Sequence, residues 1–126
     1  MKCAAFLLLA LTIACNGREQ TAAPKAQATP AANPELAEGQ QLIARYGCNI
    51  CHVVPGIEGA QGSLGPSLAG IASRPAISGG TVPNTPANLA QFIQNPASLD
   101  PQTTMPPIGI TDEEARVIAA YLMTLK

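Results

Sequence analysis

The sequence predicts an all-α domain with three main helices and long connecting loops. Three stretches carry apolar residues at helical spacing behind a clear N-terminal cap. No stretch alternates apolar and polar residues long enough to indicate a strand. Eleven glycines and twelve prolines among 126 residues leave room for long irregular segments. Aromatic residues make up only 3% of the chain, so this small domain is expected to need a disulfide, a metal or a bound cofactor to complete its core.

The first fifteen residues, "MKCAAFLLLALTIAC", are predicted to be an export signal rather than part of the fold. The apolar run from Ala4 to Ala14 is about half as long as the roughly 20 residues that span a bilayer, which is typical of a secretory signal. Its end, "LTIAC", resembles the lipobox of bacterial lipoproteins, although Thr12 stands where leucine is commoner. We therefore expect residues 1–14 to be removed and Cys15 to be lipidated, which would place the protein on the periplasmic side of the cell envelope.

Two other interpretations of this segment stay open, an ordinary signal peptide with an incidental Cys15 and an uncleaved anchor.

Residues 15–34 are rich in Ala, Pro, Gln and Thr and show no apolar periodicity. They predict a flexible linker. The folded domain is accordingly predicted at residues 35–126.

The first helix is predicted to begin beside Asn33, a favourable N-cap, with Pro34 in the first helical position. It should stop near Tyr46 and Gly47. Gly39 weakens a helix, so we expect it to permit close approach by another helix. The apolar stripe of this helix consists of Leu36, Ile43 and Tyr46.

The middle of the chain is predicted to be mostly loop over residues 53–83, with one short helix possible around residues 67–72. A second helix, "TPANLAQFIQNP", should begin at Thr85 and Pro86 and end before Pro96. Leu89, Phe92 and Ile93 share its apolar face. Residues 97–110 are expected to be an extended loop, because their prolines disfavour a helix.

The last helix carries the clearest start signal. Thr111 and Glu114 form a capping-box pattern, and acidic residues occupy the first turn. Apolar residues then recur at helical spacing, at Ile118, Tyr121, Leu122 and Leu125.

The stretch "RYGCNICHVVPG" holds the strongest chemical signal. Cys48 and Cys51 are one helical turn apart, so both thiols should face one side of the chain, and His52 follows directly. This C-x-x-C-H pattern is typical of covalent attachment of haem c. In that interpretation the two thiols bond to the haem vinyl groups and His52 supplies one axial ligand of the iron.

Three other sites fit this stretch less well. A structural zinc site needs four ligands, whereas Cys48, Cys51 and His52 offer three and the remaining cysteines lie in the predicted signal. A thioredoxin-like redox motif expects a βαβ pattern, which the sequence lacks. A plain disulfide between Cys48 and Cys51 would leave the sparse core unexplained.

Met105 is the candidate for the opposite axial ligand. His52 is the sole histidine of the chain, so a second imidazole ligand is excluded. Met1 lies in the predicted signal, and Met123 in the last helix is expected to pack in the core. Met105 stands in "TTMPPIG", a segment that prolines should hold extended. The alternative for Met105 is an incidental apolar residue in a loop.

From about Glu35 to Lys126 the chain resembles class I c-type cytochromes. The resemblance is carried by "CNICH", "LGPSLAGIASR", "TMPP" and the final helix with "AAYLMTL". It extends in particular to the cytochrome domains fused to subunit II of some haem–copper oxidases. It implies an all-α cytochrome c fold, with three main helices and long loops wrapped around one covalently bound haem c.

The resemblance also implies roles for single residues. Gly39 would meet the face of the last helix that carries Tyr121. The Pro66 carbonyl would accept a hydrogen bond from the ring of His52, which fixes the ring and makes it more basic; the alternative for Gly65 and Pro66 is a simple turn. Arg74 would pair with a haem propionate, and the alternative for Arg74 is a solvated loop charge.

With iron held by His52 and Met105, the expected function is a single-electron carrier that is not itself an enzyme. The alternatives are a haem relay subunit of a larger complex, and a haem peroxidase or gas sensor whose Met105 ligand is displaced. Expected partners are redox proteins such as a terminal oxidase or a quinol or dehydrogenase donor, and the membrane through the lipid. No small-molecule substrate is expected.

The charge balance also bears on partners. The whole chain has 7 basic and 8 acidic residues, so no basic field favours nucleic acid. The predicted domain carries a net charge of −3, and Glu58 is the sole charge near the expected haem edge around Asn49, Ile50 and the 53–64 loop. Its charged residues are Arg45, Arg74, Arg116 and Lys126 against Glu35, Glu38, Glu58, Asp100, Asp112, Glu113 and Glu114.

Overall fold

The structure, a computed structural model, describes residues 33–126. The predicted signal peptide, the lipidation site Cys15 and all but the end of the predicted linker lie outside the described residues. The helices are α1 (Pro34–Arg45), α2 (Cys48–Cys51), α3 (Pro86–Gln94), α4 (Pro96–Leu99) and α5 (Asp112–Leu122). The strands β1 (Ala76–Ile77) and β2 (Val82–Pro83) pair antiparallel, and 3₁₀ turns span Ile71–Ser73 and Ser78–Gly80.

The three main helices begin at the signals in the sequence, whereas α5 ends at Leu122, before Leu125 of its predicted stripe. The Asn33 side chain accepts a hydrogen bond from the Glu35 amide, with Pro34 in the first turn of α1. Thr85 caps α3 in the same way through the Asn88 amide. In α5 both halves of the predicted capping box between Thr111 and Glu114 are present. Caps of this kind satisfy amide groups that the first helical turn leaves without partners.

Helices α1 and α5 cross at Gly39, as the resemblance implies. A Cβ atom on Gly39 would lie 2.7 Å from Cβ of Tyr121 and 3.0 Å from the carbonyl oxygen of Val117. The absence of a side chain therefore lets the two helices touch. Around this crossing Leu42, Ile43 and Ile118 are fully buried, and they form the centre of the core.

Hydrogen bonds at the two ends of α5 fasten it to the first half of the chain. The Tyr121 hydroxyl donates to the Pro55 carbonyl at 2.9 Å and accepts from Gln40 Nε2 at 3.1 Å. At the start of α5 the Tyr46 hydroxyl donates to Glu114 at 2.8 Å. Helix α3 packs against the other side of α5.

Two predictions for the loops are wrong. The short helix considered around residues 67–72 is instead a 3₁₀ turn at Ile71–Ser73, since Gly70 with a φ of 66° starts the turn just before Ile71. Residues 97–99 are helical rather than extended, because Pro96 occupies the first position of α4, where proline is compatible with a helix.

The sequence does not predict the short strands β1 and β2, because two residues cannot show an alternation of apolar and polar side chains. Among residues 33–126 no helix is long and apolar enough to cross a membrane.

Candidate cofactor site

A cavity of about 970 Å³ opens in the domain. This volume lies at the upper end of the range for ligand and cofactor sites. Cys48, Cys51, His52 and Met105 all line it, so the structure brings the four predicted haem contacts to one place. The rest of the wall is largely apolar and includes Ile43, Leu68, Ile71, Ile77, Leu89, Phe92, Ile93, Ile108, Ile118 and Leu122.

The two cysteines lie on a single helical turn that follows α1 almost at once. Gly47 makes this possible, because its φ of 68° lies in the left-handed region and reverses the chain between α1 and α2. Both thiols are half-buried, and neither forms a disulfide within the described residues. Burial raises the pKa of the Cys48 thiol above its ordinary value, so the free thiol is neutral at pH 7.

The His52 ring is held by the loop that follows the cysteines. Its Nδ1 atom lies 2.7 Å from the carbonyl oxygen of Pro66, the contact that the resemblance implies. A carbonyl can only accept, so Nδ1 is the donor in this pair, and Nε2 is the ring nitrogen left for a metal. An imidazole in this tautomer is ready to coordinate a metal through Nε2.

Two glycines that the sequence analysis did not assign to the site pack against this motif. A Cβ atom on Gly65 would lie 2.3 Å from Cε1 of His52, and one on Gly62 would lie 2.3 Å from the carbonyl carbon of Cys51. The Gly65 amide also donates to the Cys51 carbonyl at 2.8 Å. Their position in the loop that follows the C-x-x-C-H motif is the signal that could have predicted this role.

Met105 lies in the segment between α4 and α5 and is half-buried at the cavity wall. Its backbone amide donates to Oγ1 of Thr103 at 3.2 Å. Two prolines follow it directly. Met123, by contrast, packs against the core from a partly buried position and does not line the cavity.

Arg74 lines the cavity but uses its guanidinium within the chain. Its Nη2 atom donates to the carbonyl oxygens of Ser67 at 2.5 Å and Ala69 at 2.9 Å. Arg74 therefore fastens the segment that follows Pro66. Asn84 in turn donates to the carbonyls of Ile71 and Arg74. The observed partners of Arg74 are backbone groups on Nη2, and its pairing with a haem propionate stays a prediction.

Tyr46 connects the cavity wall to α5. Its hydrogen bond to Glu114 raises the pKa of the Tyr46 phenol. Hydrogen bonds from Thr111 and Tyr46 lower the pKa of Glu114, with Arg45 contributing from 3.7 Å. The Glu114 carboxylate therefore caps α5 and also holds Tyr46, which lines the cavity.

The chemistry of the cavity fits a haem. Two thiols, an imidazole and a thioether line a large apolar space. The thiols suit covalent attachment of haem c, and His/Met is the ligand set that cytochromes c use. Within residues 33–126 no three His, Cys, Asp or Glu side chains are placed to share a metal ion. That part of the chain therefore offers no ready zinc site.

Comparison with known proteins agrees with this geometry. The family model of cytochrome c matches residues 36–126, which cover almost the whole described domain. No curated protein matches the chain. Covalent haem c and electron transfer through it are the properties that this family implies. With its helical fold and its C-x-x-C-H motif, the chain belongs to the cytochrome c family as a class I c-type cytochrome.

Proposed function

We propose that the protein is a single-electron carrier in a respiratory or oxidative chain of the bacterial envelope. Cys48 and Cys51 hold the haem covalently, and His52 and Met105 are its two axial ligands. The observation that carries this proposal is the convergence of these four side chains on one apolar cavity.

Haem c, when bound, supplies a one-electron ferric–ferrous couple. The protein side chains determine how that couple behaves. The hydrogen bond from His52 to the Pro66 carbonyl fixes the ring and makes the imidazole a stronger ligand. A thioether from Met105 raises the reduction potential relative to harder ligands. The apolar wall excludes water and lowers the reorganisation that accompanies a change of charge.

Two occupied axial positions favour electron transfer over catalysis on a substrate, because substrate chemistry needs an open or displaceable ligand. The two charged side chains that line the cavity also have hydrogen-bond partners within the chain. Arg74 donates to backbone carbonyls, and Asp100 accepts from Ser78 and from the Gln102 amide. This arrangement supports the carrier over a peroxidase.

An absorption spectrum of protein matured with haem tests the ligation. Ferric wild type should show the weak far-red band of an iron–thioether bond, and Met105→Ala should lose it. Met123→Leu is the matched control and should keep the band, because Met123 lies outside the cavity. Rapid peroxide turnover or tight carbon monoxide binding by the wild type would instead support the enzyme or sensor.

Covalent attachment is tested separately. Denatured wild type should retain its haem absorbance during acid–organic extraction and show the mass of one haem. The double variant Cys48→Ser, Cys51→Ser should release all pigment under the same extraction. Release of pigment from the wild type would contradict the proposal.

The cellular placement that we propose depends on "LTIAC". Lipidation of Cys15 would anchor the domain on the periplasmic side, where a redox partner such as a terminal oxidase or a dehydrogenase is reached by a tethered search. A relay subunit of a larger complex would use the same anchor. Labelling with a fatty-acid analogue should mark the wild type and not Cys15→Ser, and an unlabelled wild type would remove this part of the proposal.

A further inference from the structure

Ser78 holds an unusual backbone conformation beside the cavity. Its φ is 52°, the sole positive φ outside glycine among residues 33–126. Gly79 and Gly80 follow with φ values of 63° and 93°. A side chain in the left-handed region is disfavoured by a clash between Cβ and the backbone. Glycine would suit this position better, so the presence of serine points to a role for its hydroxyl.

The Ser78 hydroxyl connects two segments that are distant in sequence. It donates to Oδ2 of Asp100 at 2.5 Å, a length typical of a strong hydrogen bond to a carboxylate. Asp100 is the first residue after α4. Ser78 thus links the turn between β1 and β2 to the start of the segment that carries Met105.

Further hydrogen bonds continue from Asp100 toward Met105. The other carboxylate oxygen, Oδ1, accepts from the Gln102 amide at 3.0 Å, and the Asp100 carbonyl accepts from the Thr103 amide at 3.1 Å. The Thr103 hydroxyl then accepts a hydrogen bond from the Met105 amide. Each step is local, and Ser78 is the one partner in this series that comes from a different part of the fold.

Among the described residues, no other hydrogen bond joins the 100–105 segment to a different part of the fold. No ion pair of Asp100 occurs within the described residues, and Ser78, Asp100, Thr103 and Met105 all line the same cavity. The hydroxyl–carboxylate contact therefore supplies the hydrogen bond that ties the start of this segment to the turn between β1 and β2.

We propose that Ser78 and Asp100 are positioning residues that keep Met105 on the iron. The proposal depends on the proposed function, in which Met105 is an axial ligand. Opening of the Ser78–Asp100 contact frees the start of the 100–105 segment, so the thioether leaves more readily and an external ligand takes its place.

The test is a titration of ferric holoprotein with imidazole, followed through loss of the far-red thioether band. Two variants remove the hydroxyl. Ser78→Ala keeps the unfavourable backbone conformation, whereas Ser78→Gly relieves it and so should fold at least as well as the wild type. Because a hydrogen bond to a carboxylate is lost, we expect both variants to bind imidazole about tenfold more tightly.

Thr81→Ala is the matched control. The Thr81 hydroxyl donates to the Ser78 carbonyl at 2.7 Å, so this variant also loses a hydroxyl contact in the same turn without touching Asp100. Its imidazole affinity should equal that of the wild type. Asp100→Asn should weaken the contact partially and give an intermediate affinity, because the amide can still accept from Gln102.

Each outcome decides between definite alternatives. Wild-type affinity in both Ser78 variants overturns the inference, and so does an equal rise in Thr81→Ala. A rise in Ser78→Ala alone assigns the effect to the backbone and overturns the role of the hydroxyl. If the far-red band survives in Met105→Ala, the proposed function itself fails. If the band needs Met105 but ignores Ser78, only this inference fails.

Discussion

The orientation of His52 depends on one residue that has no side chain. The ring fits between the Pro66 carbonyl, 2.7 Å from Nδ1, and the α-carbon of Gly65, where a Cβ atom would lie 2.3 Å from Cε1. The hydrogen bond to Pro66 holds the His52 ring in one position, and Gly65 has no side chain that would occupy that position. Both restraints belong to the same short loop, so a change in this loop acts directly on the candidate iron ligand.

Gly65→Ala should therefore damage the site. The new methyl group must displace the ring or the loop, which we expect to cost about 1–3 kcal/mol of stability and to lower the yield of holoprotein. Denaturant unfolding and the haem content of the purified protein measure the two effects. Gly70→Ala is the control for haem content. Its φ of 66° disfavours alanine, so this variant should also lose stability, but the new methyl group meets no atom of the described residues within 4 Å and leaves His52 in place. Equal haem content in the two variants would contradict the role of Gly65.

Other residues of the site show what the sequence could and could not predict. Cys48, Cys51, His52 and Met105 were recognised because their chemistry is rare and their order along the chain is informative. The contacts of Gly62 and Gly65 follow from how a loop folds over the motif, which spacing alone does not determine. The backbone partners of Arg74 and the φ of Ser78 are likewise products of tertiary structure.

At the scale of elements, the crossing of α1 and α5 fixes the frame of the cavity. The helices approach closely because Gly39 faces Cβ of Tyr121, and this contact places the end of α1 and the cysteine turn against α5. The sequence predicts where both helices begin, since each carries a side-chain cap and an apolar stripe. The end of α5 at Leu122 falls before the predicted apolar position Leu125. The short elements α4, β1 and β2 were missed because they are too brief to display a period.

Gly39→Ala should separate the two helices. Alanine normally gains roughly 0.5–1 kcal/mol over glycine inside a helix, but here its methyl group would lie 2.7 Å from Tyr121. We expect overpacking to dominate and to destabilise the holoprotein by about 1–3 kcal/mol. Gln41→Ala, on the exposed side of the same helix, should change stability by no more than about 0.5 kcal/mol. A more stable Gly39→Ala protein would show that the crossing is not tight.

The hydrogen bonds of Glu114 at the start of α5 should make the free energy of unfolding depend on pH. Hydrogen bonds from Thr111 and Tyr46 hold the pKa of Glu114 below its ordinary value of 4.5. The stabilisation from this carboxylate is thus complete above about pH 4.5 and is lost as pH falls through the lower, folded-state pKa. Glu114→Gln should be less stable than the wild type at pH 7, and the difference should shrink on acidification.

Denaturant unfolding of both proteins between neutral and acidic pH measures this effect. Glu113→Gln is a suitable control, because the Glu113 side chain is 80% exposed and its sole ion pair within residues 33–126 is with Arg116 at 3.8 Å. Its stability difference from the wild type should be small at every pH. A Glu114→Gln difference that stays constant with pH would contradict the assigned cause.

The molecule as a whole offers a partner an almost uncharged, apolar approach to the cavity. Ile50 and Leu64 are 71% and 82% exposed and belong to the two segments that meet at the Gly65–Cys51 hydrogen bond. The charged side chains at the cavity, Arg74 and Asp100, are engaged in hydrogen bonds within the chain. The acidic residues Asp112, Glu113 and Glu114 lie instead in the first turn of α5. The rate of electron exchange through this surface should therefore depend on the near absence of charge around Ile50 and Leu64 rather than on the net charge of the domain.

Small redox probes of opposite charge test this distribution directly. We expect oxidation of the ferrous protein by ferricyanide and reduction of the ferric protein by hexaammineruthenium(II) to vary little with ionic strength, far less than the roughly 10–10³-fold range of strongly steered encounters. Leu64→Lys should accelerate the anion, slow the cation and introduce a clear salt dependence. Gln41→Lys adds the same charge on α1, away from the cavity, and should leave both rates near those of the wild type. Equal effects of the two lysines would mean that net charge governs the encounter, and the uncharged surface around Leu64 would then have no special part in electron exchange.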